Sequence, residues 1–268
     1  MSRPTGRFVL LGVGCAWICH SETRLDNRWG DRVVRTVDEV VDRLRAIESG
    51  LPRRDGIAVF NRVYLQVSEL VRDQMRDGFF RDARFMERFD VVFAGLYFDS
   101  VEAAAAGADV ARSWAPVVAA RRRRGVAPAQ FALAGMNAHI NHDLAVAVVI
   151  TCRRARREPA TVHDDYERIN ELLATVVRPI RQSFLDSLVV EAGAPLSPLA
   201  DLVSAWSIDN ARDAAWVHAR TMWELRNVRP LTEAYRRTLA RTVGLVGRQM
   251  LVAYGLPTGP GSAVAASS

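Results

Sequence analysis

The ten residues from Gly135 to Leu144, GMNAHINHDL, put two histidines, two asparagines and an aspartate inside QFALAGMNAHINHDLAVAVVITC, a run that is otherwise apolar. His139 and Asp143 are four residues apart, so a helix stacks them on one face, with His142 beside them three residues on. An imidazole and a carboxylate delivered to one point by one helix are the kind of donors from which carboxylate-bridged di-iron centres are assembled in helical bundles. The same pair also reads as a hydrogen-bonded core network. A bare buried carboxylate is costly, so Asp143 must be paired, protonated or bound to a cation.

Other acidic residues sit in similarly apolar places. Asp90 lies in FDVVFAGLYF with Tyr97 on its face, and Asp165 lies in HDDYERIN beside His163 and Asp164. Asp55, Glu69, Asp209 and His218 form an outer set. Each has an ordinary reading as well. Asp165 and Asp55 suit helix caps. Asp90 could pair with Arg84 or Arg88, and Asp209 with Arg212 makes a helix ion pair. Tyr64, Tyr97 and the tryptophans Trp114, Trp206, Trp216 and Trp223 read as core or pocket wall. Gln130, Asn137 and Asn141 fall on the other side of the central helix and would support ligands by hydrogen bonding. The sequence has no GxSxG elbow, P-loop, GxGxxG, HExxH or repeated ExxH pattern.

Helical periodicity dominates the segments that must position these groups. Val37, Val40, Val41, Leu44 and Ile47 mark one amphipathic helix, ended by Gly50 and Pro52. Asp55 opens a second, with Phe60, Tyr64, Val67 and Val71 on one face. Further helices are expected over Asp82–Phe98, from Ser100 to the arginines at 121–124, and in the central apolar run entered at Pro128. After Pro159 another helix follows, or a pair kinked at Pro179. Two more close the domain, and EAGAPLSPLAD is a loop. Together these predict an all-α, single-domain bundle of about eight helices around a buried polar helix. The expected boundaries are a leader at 1–35, a helical domain at 36–252 and a tail at 253–268.

The chain has 268 residues, no lysine, and a formal charge of +6 carried wholly by arginine. The basic clusters at Arg121–Arg124 and Arg153–Arg157 flank helix ends and lack interleaved aromatics, which argues against a nucleic-acid partner. Cys15, Cys19 and Cys152 form no paired framework, consistent with a reducing, cytoplasmic setting. The short apolar stretch near Cys15 leaves export as the alternative. No apolar run reaches membrane-spanning length.

The blocks DGIAVFNRVY, FDVVFAGLYF, QFALAGMNAHINHDL, HDDYERIN and AWSIDNARDAAWVHARTMW, in this order, resemble a bacterial helical family of unknown function. That family is similar in turn to a nonheme di-iron monooxygenase of diterpenoid biosynthesis, of the platensimycin and platencin type. The resemblance spans about residues 36–250. It implies two irons, O2 as co-substrate, a small apolar substrate and an electron-transfer partner. It marks Asp90, Asn137, His139, Asp143 and Asp165, while His142 stands where the family carries arginine. The expected metal set is therefore Asp90, His139, His142, Asp143 and Asp165, with Asn137 and Tyr97 lining the cofactor. A metal-free scaffold with a structural polar core and a metal-dependent hydrolase are the rival readings.

Overall fold

The computed structural model describes residues 34–192 and 206–253, and every regular element among them is helical. The expected leader, apart from its last two residues, and the tail beyond residue 253 lie outside the described residues. So does most of the loop expected at 191–201; its first two residues end a helix.

Helix α1 (Val37–Gly50) starts where the Thr36 hydroxyl accepts the Glu39 amide, and buries Val37, Val40, Val41, Leu44 and Ile47. Helix α2 (Gly56–Arg76) starts at Asp55, whose carboxylate takes the Ile57 amide at 3.0 Å and the Arg121 guanidinium at 2.8 Å. Helix α3 (Ala83–Ala105) runs beyond the expected Phe98, because alanines favour continuation until Gly107 turns left-handed at φ 63°. Of the helix expected from Ser100 onward, the first turns belong to α3, and after Gly107 a short α4 (Ala115–Ala120), opened by Pro116, forms the rest.

The central run begins as α5 (Pro128–Ala138), passes through a π-helical turn (His139–Leu144) and continues without a break as α6 (Ala145–Ala155). A 3₁₀ turn (Pro159–Val162) leads to α7 (His163–Ala192), which stays helical through Pro179. Helix α8 (Ile208–Glu224) and α9 (Arg229–Met250), joined by a 3₁₀ turn (Leu225–Asn227), complete the described residues. Counting α5, the π turn and α6 as one rod gives the expected eight helices among these residues.

The rod is apolar nearly all round because neighbours enclose it. Helices α2 and α9 pack on its first half, α3 and α8 on its second. Two glycines let α2 approach closely. A Cβ on Gly135 would sit 2.5 Å from the Phe60 ring, and one on Gly56 would sit 2.3 Å from Phe131. Phe60 therefore lies over the rod directly beside its polar turn. Gln130 closes the other side: its amide donates to the Met250 and Val252 carbonyls, both at 2.7 Å, while its oxygen accepts the Ala127 amide. No helix among the described residues is both long and apolar enough to cross a membrane.

Candidate functional site

The π turn is the local feature on which the site rests. Widening the backbone to π geometry changes which side chains meet, and such turns are frequent at functional positions. In an α-helix, adjacent residues do not face each other. Here His142 Nδ1 lies 2.7 Å from Asp143 Oδ1, while His139 Nδ1 lies 3.2 Å from Asp143 Oδ2. The Trp114 indole N–H, at the start of α4, donates to Asp143 Oδ2 at 2.7 Å, and the Ser113 hydroxyl lies 3.3 Å from His142 Nδ1.

Asp143 is 2% exposed. Burial pushes its carboxyl up, but the hydrogen bonds from His139 and His142 outweigh this and leave it below the usual carboxylate range. An ionised carboxylate only accepts, so each histidine presents a protonated Nδ1 to it. Burial drives His139 toward the neutral imidazole, against the pull of Asp143. Its Nε2 is then a lone-pair nitrogen.

That nitrogen has no protein partner. The His139 ring stacks on Phe93 at 3.7 Å between centroids, nearly parallel, and meets Tyr64 edge-on at 4.5 Å. The ring lines an apolar cavity with about 760 Å³ of empty space, part of it open to solvent. From the rod, Met136, His139, Ile140 and Leu144 face this cavity. Continuous α periodicity would carry the His139–Asp143 face on to Val146 and Ile150; the π turn breaks that periodicity.

Among the described residues, five buried side-chain atoms lack a hydrogen-bond partner: Tyr64 Oη, Ser68 Oγ, Asp90 Oδ2, His139 Nε2 and Thr151 Oγ1. The residues carrying the first four all line this one cavity. Burial pushes the Asp90 carboxyl up to about 7, with a smaller contribution from Glu87. Burial, and then the charge of Asp90, raise the Tyr64 phenol, while the nearby Ser68 hydroxyl, outside hydrogen-bond geometry, acts in the opposite direction to a smaller extent. Unpaired buried polar groups are rare in folded proteins, so four around one hollow make this cavity the candidate site.

The remaining expected residues are engaged elsewhere. Asp165 Oδ1 and Oδ2 accept the Arg81 and Asp82 amides at 2.9 and 2.8 Å, so this carboxylate caps the entry to α3 from the first turn of α7. Asn137 donates to the Val243 carbonyl at 2.9 Å and accepts from Asn141 at 3.2 Å, which fastens the rod to α9. Tyr97 donates to Asn61 Oδ1 at 3.1 Å, and Asn61 donates to the Leu44 carbonyl at 2.9 Å. None of Asn137, Tyr97 and Asp165 lines the cavity. Among the described residues, no three His, Cys, Asp or Glu side chains converge to hold an ion. Of the outer set, Asp55 caps α2, Glu69 pairs with Arg45 at 2.6 Å, and His218 meets the Tyr235 hydroxyl at 2.8 Å.

A family of unknown function, DUF5995, matches residues 37–253. The chain belongs to this family. Neither the curated proteins nor the solved structures compared with it gave a match.

Within this member of the family, the sequence did not single out two cavity residues, Ser68 and Arg212. Ser68 looks like an ordinary helix serine, and only its burial and missing partner set it apart. Phe93, the ring beneath His139, reads from the sequence as pocket wall, and the structure places it in the cavity lining. Arg212 was expected to pair with Asp209; it is 4% exposed, lines the cavity, and forms no ion pair with a carboxylate among the described residues.

Proposed function

We propose that the chain is an enzyme acting on an apolar small molecule in this cavity, and that the reaction is an iron-dependent oxygenation. The observation that carries the proposal is the set of four unpartnered polar groups around one apolar hollow. Imidazole and carboxylate donors suit iron. His139 Nε2 and the Asp90 carboxyl are the cavity groups that would hold iron. A second ion would require Asp143 to release its three N–H donors or Asp165 to release its two amides.

When bound, iron would supply activation of O2. The remaining work falls to the chain. Asp143 holds the Nδ1 proton of His139, which fixes the tautomer and keeps Nε2 free. Phe60, Phe93 and Met136 exclude water and hold the apolar substrate. The Tyr64 and Ser68 hydroxyls stand ready to bond a polar group of the substrate.

A metal-free acid–base enzyme is the second reading, favoured by the His139–Asp143 dyad itself, which is a geometry that positions an imidazole as a base. Anaerobic titration with Fe(II), followed by metal analysis of the desalted protein, separates the two. Retention of iron by the wild type and its loss in His139→Ala and Asp90→Ala supports the oxygenase. Absence of iron uptake in a folded wild type removes it.

A further inference from the structure

The α8 wall of the cavity carries a cation. Arg212 is 4% exposed, and its neighbours within hydrogen-bond reach are neutral: the Asn170 side-chain oxygen and the Tyr166 carbonyl. Its guanidinium lies over the Tyr166 ring at 4.2 Å, and the Tyr166 hydroxyl returns a hydrogen bond to the Arg212 carbonyl at 2.7 Å. These contacts fix the plane of the fork without neutralising it. Glu167, Asp209 and Asp213 act on the guanidinium only through space. A buried cation whose carboxylate neighbours make no direct contact is only partly compensated, and a ligand of opposite charge would complete it. Apart from Tyr64, Ser68, Asp90 and His139, the other walls of the cavity are phenylalanine, methionine, valine, leucine and isoleucine.

We propose that the cavity selects an amphipathic monocarboxylate, with its apolar body against Phe60, Phe93 and Met136 and its carboxylate on Arg212. With Nε and one Nη2 donor engaged by Asn170 and Tyr166, the Nη1 donors and the second Nη2 donor remain for a carboxylate, a charge-assisted contact whose value rises in an apolar enclosure. This assignment rests on the cavity being the substrate site and adds the substrate class. It also sets an orientation: the acid end lies at the α8 wall, and the apolar body extends toward His139 and Asp90.

Calorimetric titration of the full chain with octanoate, octan-1-ol and octylammonium tests it. Octanoate is expected to bind about tenfold or more tightly than octanol, the difference expected of a charge-assisted fork. Octylammonium is expected to bind more weakly than either. Arg212→Gln should bring octanoate down to the affinity of octanol and leave octanol unchanged. The comparison of head groups on the wild type needs no variant, so it stands even if Arg212→Gln fails to fold. Equal affinity for acid and alcohol overturns the carboxylate assignment while leaving the cavity as a binding site. A preference for acid that survives in folded Arg212→Gln overturns the role of Arg212. Failure of all three ligands to bind overturns the cavity reading, and the inference with it.

Discussion

Two groups that looked alike in sequence, His139 and Asp143, have opposite duties. His139 has an atom to spare, whereas Asp143 has three N–H donors directed at it. Alanine at His139 should therefore remove metal or ligand binding from a folded protein, read by metal analysis beside circular dichroism. Alanine at Asp143 orphans the Trp114 and His142 donors and should cost roughly 3–5 kcal/mol in urea unfolding, the range for breaking a buried charged network. Equal loss of stability in both would contradict the division. Asp90 gives a pH signature in the metal-free protein. Burial raises its carboxyl to about 7, so the folded state holds a proton that the unfolded state releases first. Stability from this group is full below pH 4, falls as pH rises toward 7, and is flat above. Asp90→Asn removes that slope. Its gain over wild type should grow across this window and reach roughly 2–4 kcal/mol at pH 8, measured by denaturant midpoints.

At the scale of elements, the rod depends on what lets its neighbours come near. Gly135→Ala places a methyl against the Phe60 ring and its Cβ, the latter at 2.7 Å, so the ring cannot swing clear. A cost of about 1–3 kcal/mol is expected from chemical unfolding, as for overpacked cores. Because Phe60 also meets His139 edge-on at 5.7 Å, the variant should weaken octanoate binding as well. Asp165→Asn keeps one acceptor for two amides, and should lower stability by about 1 kcal/mol without changing bound metal. The helices themselves were legible in the sequence. Val37 to Ile47 repeat at helical spacing, and Thr36, Asp55 and Pro128 stand at true starts. The π turn was not legible, since apolar residues surround it and no spacing in HINHDL distinguishes π from α. That one turn decides which rod residues face the cavity. Nor could spacing reveal that Asp165 caps α3, because its partners Arg81 and Asp82 are more than eighty positions away.

Across the whole molecule, the middle of the sequence is held by both ends. The rod meets α2, which precedes it, and α8 and α9, which follow. Gln130 and Asn137 spend their amides on carbonyls at Val243, Met250 and Val252, more than a hundred residues later. A chain emerging from the ribosome therefore cannot finish its core in order. Helices α1 to α6 can be out and coiled while one flank of the rod still lacks its cover, and the last helix must arrive before the apolar interior is shut. Long sequence separation of this kind slows folding and prolongs the exposure of sticky surface. A chain ended at Val228, before α9, should accordingly be recovered in the insoluble fraction where the full chain is soluble. Supplying residues 229–268 as a separate peptide during refolding should restore part of the soluble yield. For this protein, the final turn of α9 acts as the closing latch of the molecule's assembly in time.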